Sequence, residues 1–494
     1  MRRQHLQTAA AVAGIAVVLG IVAIVGKAWY HSRLPGTYSV MSFGRADYGG
    51  GPAPTSHTGH EGHGGTSIAT LHGPAGVADA RFRLTARTAT IRLSSGRKVD
   101  ALTFDGTAPG PELRVQQGDL VEVDLMNDDV AGGVTIHWHG VDVPNAEDGV
   151  AGVTQNAVLP GEHYTYRFRA NQVGTFWYHS HQVSSEEVRR GLFGAFVIEP
   201  RNEPHDLVDL ALAVHTYDGV PTINADDGVA QRTVPPGTPV HLRLVDTDSV
   251  AQRLALDGTP FRVTAIDGTD LHGPTDIEDR AIELPAGGRI DLSFTMPPSP
   301  VRLSLGETNA GVVLSPDETA RPPLRELPEQ DFDPLTYGSP APTPFGASTE
   351  YDRRFHLTIT RKLGFFGGRP GRQWAVNGGI YPGVPTFMVA KGDLVEMTIA
   401  NESKNVHPMH LHGHHLLVVS RDGEPSTGSP WWVDSLNVHP GESFVVAFRA
   451  DNPGIWMDHC HNLTHAAAGL TMHLAYIGLQ TPFVVGATHH NTPE

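Results

Sequence analysis

The chain has a single cysteine, and it stands between two histidines: His459-Cys460-His461, followed by His465. In an extended strand successive side chains point to opposite faces. Cys460 then faces one way and His459 and His461 the other, so metals bound on the two sides would share adjacent backbone. A soft thiolate with two imidazoles is the ligand set of a blue copper site, and His465 is a candidate for one of those imidazoles. Three further groups complete the set: His137-Trp138-His139, His179-Ser180-His181, and His407-Pro408-Met409-His410-Leu411-His412. Imidazole suits copper, zinc, iron and nickel alike, so the cysteine-containing group is what points to copper. One His-x-His is most simply a surface pair; four such groups in one chain are not explained that way.

The chain also repeats itself. Pro160-Gly161-Glu162 through Phe168-Arg169-Ala170 and Gly174 to His179-Ser180-His181 aligns without a gap on Pro440-Gly441-Glu442 through Phe448-Arg449-Ala450 and Gly454 to His459-Cys460-His461. Gly118-Asp119-Leu120-Val121-Glu122 recurs as Gly392-Asp393-Leu394-Val395-Glu396, and His137-Trp138-His139-Gly140 pairs with His410-Leu411-His412-Gly413. Repeats of this length mean a duplicated domain. Each copy supplies two His-x-His pairs, which suits a metal cluster held between two similar domains. Cys460 aligns with Ser180, His465 with Ser185 and His407 with Val134, so only the later copy has a thiolate site.

On these four groups, with Gly140, Trp177 and Gly413 beside them, the chain resembles the multicopper oxidases over roughly residues 80–480. The resemblance implies an all-β fold of three consecutive cupredoxin-like Greek-key β-sandwich domains. It implies an enzyme that couples one-electron oxidation of phenolic or similar donors to four-electron reduction of O2 to water. It also implies four coppers. The type 1 copper takes His407, Cys460 and His465; the type 2 copper takes His137 and His410. One type 3 copper takes His139, His179 and His461, and the other His181, His412 and His459. The position expected to lie axial to the type 1 copper is Leu470, which cannot coordinate, so that copper should be more oxidising than a methionine-ligated one. Met472 nearby reads as core packing. Asp148, in Glu147-Asp148-Gly149, resembles the family's acidic residue near the type 2 copper and is the candidate proton supplier; a plain Asp-Gly turn is the alternative. Ala466 stands where many bacterial relatives carry a second acid.

The donor is either a small phenol-like molecule or, as the alternative, a metal ion, Cu(I) or Mn(II), in copper tolerance. The nine methionines form no cluster, which weighs against the metal-ion reading. A copper nitrite reductase is a remote alternative, because it needs no eight-histidine cluster.

The elements that position these groups follow from composition. A chain of 494 residues suits about three domains. A formal charge of −17 argues against nucleic acid as a partner. Met1-Arg2-Arg3 precedes an uncharged, apolar stretch from Thr8 to Gly26, close to the length that spans a bilayer. Residues 1–33 are therefore expected to be a transmembrane anchor, or a signal segment if cleaved, with the catalytic part outside the cytoplasmic membrane. Residues 34–78 read as a flexible Gly/Pro/His-rich linker with His57, His60, His63 and His72. Short runs rich in β-branched and aromatic residues between Gly/Pro turns then predict sandwiches. Domain one spans 79–203 and carries cluster ligands. Domain two spans 204–315 without ligands and acts as a spacer. A Pro-rich linker covers 316–349, domain three spans 350–482 with the thiolate site, and a tail follows over 483–494.

Overall fold

Alternation of apolar and polar residues yields strands throughout the body. Leu120–Asn127 buries Leu120, Val121, Val123 and Leu125, and its antiparallel partner His163–Arg169 buries Tyr166 and Phe168. The computed structural model describes residues 2–53, 65–202, 207–317 and 326–494. In it one N-terminal helix, Arg2–His31, precedes an all-β body. Strands between residues 80 and 199 form two four-stranded sheets. Those between 208 and 315 form a six- and a five-stranded sheet, and the last third contributes to a six- and a seven-stranded sheet. This is the expected series of three cupredoxin-like sandwiches.

The sequence repeat is also a repeat of pairing. Ala80–Arg92 lies parallel to Leu120–Asn127, as Arg353–Phe366 lies parallel to Leu394–Asn401. His137 stands opposite His179 in one antiparallel pair, and His410 stands opposite His459 in the other. Both copies therefore present two His-x-His pairs on neighbouring strands. One apolar cluster runs from the second sandwich into the third and takes in Leu335 and Tyr337 of the Pro-rich connector. The connector is bonded down as well: Thr427 and Ser429 N–H donate to the carbonyls of Leu335 and Tyr337 at 2.9 and 2.7 Å.

The segment expected to be a flexible tether is, in its described parts, held on the body. Arg45–Asp47 adds in parallel to Pro385–Val389, Thr37–Tyr38 pairs with Val485–Gly486, and Thr66–Ser67 pairs with Leu479–Gln480. Val40 and Ile68 are buried beneath it. An open strand edge offers backbone donors and acceptors to any partner strand, so a Gly/Pro-rich composition does not prevent the docking. His57, His60 and His63 lie outside the described residues. His72 places Nδ1 3.1 Å from Glu147 Oε1. The tail packs back on the first sandwich, where the Asn491 side chain accepts from Ala157 N–H at 2.8 Å.

Candidate metal centre

The strand Ile455–Cys460 separates two polar sites. On one face Cys460 Sγ lies 3.5 Å from His407 Nδ1 and 3.7 Å from His465 Nδ1. His407 is oriented by a 2.8 Å contact from its Nε2 to Ser403 Oγ. His465 sits on the short helix Leu463–Ala467, whose first turn is capped by the Asn462 side chain accepting from His465 N–H. Such a cap fixes where the helix starts, and so where His465 points. Burial pushes the Cys460 thiol up and pushes His407 down to about 3 and His465 down to about 4. Neutral imidazoles and a buried sulfur that ionises only beside a cation are a donor set for a soft metal.

Leu470 adjoins this site. Its carbonyl accepts from Cys460 N–H at 3.2 Å, its N–H donates to the His465 carbonyl at 3.0 Å, and it is fully buried. Met472 is buried in the same apolar cluster. Trp374 packs against both histidines, its ring centroid 4.8 Å from His407 and 4.5 Å from His465.

On the other side eight buried histidines from the first and third sandwiches meet: His137, His139, His179, His181, His410, His412, His459 and His461. Facing ring nitrogens approach closely. His137 Nε2 is 3.4 Å from His410 Nε2, and His459 Nε2 is 3.4 Å from His181 Nε2 and 3.2 Å from His412 Nε2. His139 Nδ1, His179 Nε2 and both nitrogens of His461 have no hydrogen-bond partner among the described residues. Burial drives most of these imidazoles toward the neutral form; His459 is pushed down to about 3. Buried polar atoms are normally paired, so converging lone pairs of neutral imidazoles fit cations between them. His181, His412 and His459 converge as one group, and His407, Cys460 and His465 as another. His139 and His179 also converge with His137, and the family resemblance groups them with His461. The His461 ring stands 4.9 Å from His139 and 5.5 Å from His179.

Asp148 lies against this cluster. His137 Nδ1 is 3.1 Å from Asp148 Oδ1 and 3.0 Å from its carbonyl, and His412 Nδ1 is 3.1 Å from Oδ1. Burial raises its carboxyl pKa, against the pull of His137. The turn is present too: a Cβ on Gly149 would collide with the Ile136 carbonyl, so Asp148 is held by a glycine whose φ is +76°. The Asp-Gly turn therefore sets the Asp148 carboxyl against the histidine cluster.

The second sandwich does more than space the others, a point that sequence reasoning missed. Arg289, fully buried, pairs with Asp434 at 2.6 and 2.5 Å. Asp434 Oδ1 lies 3.1 Å from His139 Nε2, and its carbonyl accepts from His410 Nδ1 at 2.8 Å. Asp267 Oδ2 accepts from the N–H groups of Asp434 and Ser435 at 3.0 Å each. Gly287 lies so close to the cluster that a Cβ there would come within 2.9 Å of both His139 and His461. The sequence signal was faint: charged residues inside otherwise apolar strands, at Arg289 and Asp291, with nothing to name their partners.

Two models described as multicopper oxidase match residues 85–203 and 354–477. The chain is 26% identical to the multicopper oxidase MmcO of Mycobacterium tuberculosis, over 80% of this chain and 86% of that protein. It is 28% identical to laccase-1 of Botryotinia fuckeliana, over 78% and 80% of the two chains. Among solved structures it is similar to a multi-copper oxidase from Pseudomonas thermotolerans, with 29% identity, a TM-score of 0.65, and coverage of 81% of this chain and all of that one.

Proposed function

Because the chain belongs to the multicopper oxidase family, we propose that it draws single electrons from phenolic or similar donors at Cys460 and delivers four of them, with four protons, to O2 to form two waters. His407, Cys460 and His465 hold the type 1 copper, and His137 and His410 the type 2 copper. His139, His179 and His461 hold one copper of the type 3 pair, and His181, His412 and His459 the other. Bound copper supplies the one-electron redox chemistry. The observation that supports this reading most is that Cys460 Sγ faces His407 and His465 while its chain neighbour His459 faces His181 and His412. Covalent backbone between Cys460 and His459 would connect the two sites.

The protein supplies position and charge. Asp148 accepts from His137 and His412, one histidine from each repeat, and so sets which nitrogens point inward. It is also a carboxylate in direct contact with the histidine cluster, placed to hand on protons there. Asp148→Asn is expected to leave anaerobic reduction of the blue copper unchanged and to slow reoxidation by O2, on the order of tenfold or more. Stopped-flow measurement of the two half-reactions checks this; slowed blue-copper reduction with normal reoxidation would leave Asp148 only its turn role.

Leu470 is buried beside Cys460 and His465 and would donate no electrons to a copper held there. Leu470→Met is expected to lower the type 1 potential, because a thioether stabilises Cu(II). The fall should be on the order of 60 mV, about tenfold in the one-electron equilibrium. Redox titration of the two proteins decides; an unchanged or raised potential would show that Leu470 is not axial.

The helix Arg2–His31 is the anchor that holds the enzyme outside the cytoplasmic membrane. Its segment Ala11–His31 has a mean hydropathy of 2.3 and is not buried in the body. Oxygen uptake with phenols, Cu(I) and Mn(II) offered in parallel tests the donor. Faster uptake with either metal ion than with any phenol would replace the phenol reading by a metal oxidase.

A further inference from the structure

The end of the N-terminal helix is fixed to a particular part of the body. Gly368, in the turn between strands Arg353–Phe366 and Arg369–Val376, donates its N–H to Ser32 Oγ at 3.2 Å. A Cβ on Gly368 would lie 3.4 Å from Trp29 Nε1 and from Arg33 Cγ. Trp29 and Tyr30, 40% and 70% exposed, follow the apolar stretch within about one helical turn. Aromatic residues at that point of a spanning helix sit at headgroup level. A hairpin turn bonded to them stands at the same level.

The composition of this hairpin suits that place. Arg361, Lys362, Arg369 and Arg372 are exposed, and no Asp or Glu occurs from residue 353 to 376. None of the four has a carboxylate partner among the described residues. Lys362 Nζ donates to the Gly378 carbonyl at 3.1 Å, and Arg361 lies over the Trp374 ring at 4.5 Å. Leu363 is 78% exposed between them, with Phe365 partly buried beside it. In a chain with a net charge of −17, a basic patch with an exposed leucine is out of character with the rest of the surface. Lys and Arg near a bilayer are drawn to anionic headgroups while their aliphatic stems and apolar neighbours enter the interface.

We infer that the hairpin of residues 353–376 is a docking surface for the anionic phospholipid headgroups of the membrane in which the helix is anchored, and that it seats the molecule with its thiolate site toward the bilayer. The other end of the same hairpin carries Trp374, which packs on His407 and His465. Phe366 packs over Gly469, next to Leu470; a Cβ on Gly469 would lie 2.9 Å from its ring. The electron-accepting edge is therefore within one strand pair of the headgroups. Donors that partition into the interface, such as lipophilic phenols and quinols, reach it without leaving the membrane. The docking rests on the reading of the helix as an anchor and not on the identity of the donor.

The test uses the full chain in nanodiscs, either of phosphatidylcholine alone or with phosphatidylglycerol added. A nitroxide is placed on Leu363→Cys or, separately, on Val18→Cys; Cys460 is buried and does not compete. Collision with O2 and with an aqueous nickel chelate reads depth. The Val18 label is expected deep in both discs, and the Leu363 label at headgroup depth in the anionic disc. Adding Lys362→Glu, Arg369→Glu and Arg372→Glu should lower the docked fraction, roughly fivefold for each basic residue lost. The same triple variant should slow oxidation of a disc-embedded hydroquinone while leaving a water-soluble one unaffected. A deep Val18 label with a Leu363 label equally wet in both lipids would overturn the docking alone. A wet Val18 label would overturn the anchor, and the docking with it.

Discussion

Cys460→Ser is expected to abolish the intense blue absorption and to reduce donor-driven O2 uptake to background, while the histidine cluster still takes up copper. The chain contains no other cysteine, so no thiolate can replace it. The sulfur is buried against His407 and His465, and a serine oxygen there is a harder, weaker donor that does not give thiolate-to-copper charge transfer. Four of the eight cluster histidines are held by contacts separate from the sulfur: His137 and His412 by Asp148, and His139 and His410 by Asp434 and Ser435. Loss of the thiolate therefore leaves that site intact. Visible absorption, copper content and electron paramagnetic resonance check the three parts of the expectation. A serine variant that remains blue would refute the thiolate site. One that loses every copper would refute the separation of the two centres.

Arg289→Met is expected to be the most destabilising single change at the cluster, by about 3–5 kcal/mol. Arg289 and Asp434 are both fully buried, and Asp267 stands 3.5 Å from the same guanidinium. Burial and the neighbouring Asp434 already push the Asp267 carboxyl up to about 6. Methionine fills much of the volume but leaves two carboxylates without their cation. Breaking a buried pair from one side costs far more than replacing both partners, because a charge is stranded. Asp434 is also what His139 Nε2 faces, so the variant should lose histidine-site copper while keeping the blue band. Adding Asp434→Asn removes the stranded charge and should recover part of the stability. Thermal melting of the single and double variants, with copper analysis by spectroscopy, measures both effects. A single variant within about 1 kcal/mol of the parent would mean that solvent reaches the pair.

These two predictions draw on different kinds of information. Cys460 and its flanking histidines were legible in the sequence because ligand geometry there is local. Strand alternation sends neighbours to opposite faces, a capped turn of helix brings His465 back to Cys460, and the repeat supplies the second set of histidines on equivalent strands. The sandwich fold followed from the same alternation and from the family resemblance. Other features were decided by segments that meet only in the folded chain. Arg289 and Asp434 are far apart in sequence, and nothing in either neighbourhood names the other, yet together they hold one side of the cluster. The meeting of His461 with His139 and His179 depends on how two sandwiches close on each other, which spacing within one strand does not set. Residues 34–78 looked like a tether because Gly, Pro and Ser carry little apolar surface. Arg45–Asp47 docks through backbone hydrogen bonds to an open sheet edge, with Val40 and Ile68 as the apolar pins, and that edge exists only once the third sandwich has formed. Helix and hairpin tell the same story: the apolar run was plain to read, but only the folded chain sets Gly368 against Ser32 and Trp29 and brings the basic hairpin to the same level.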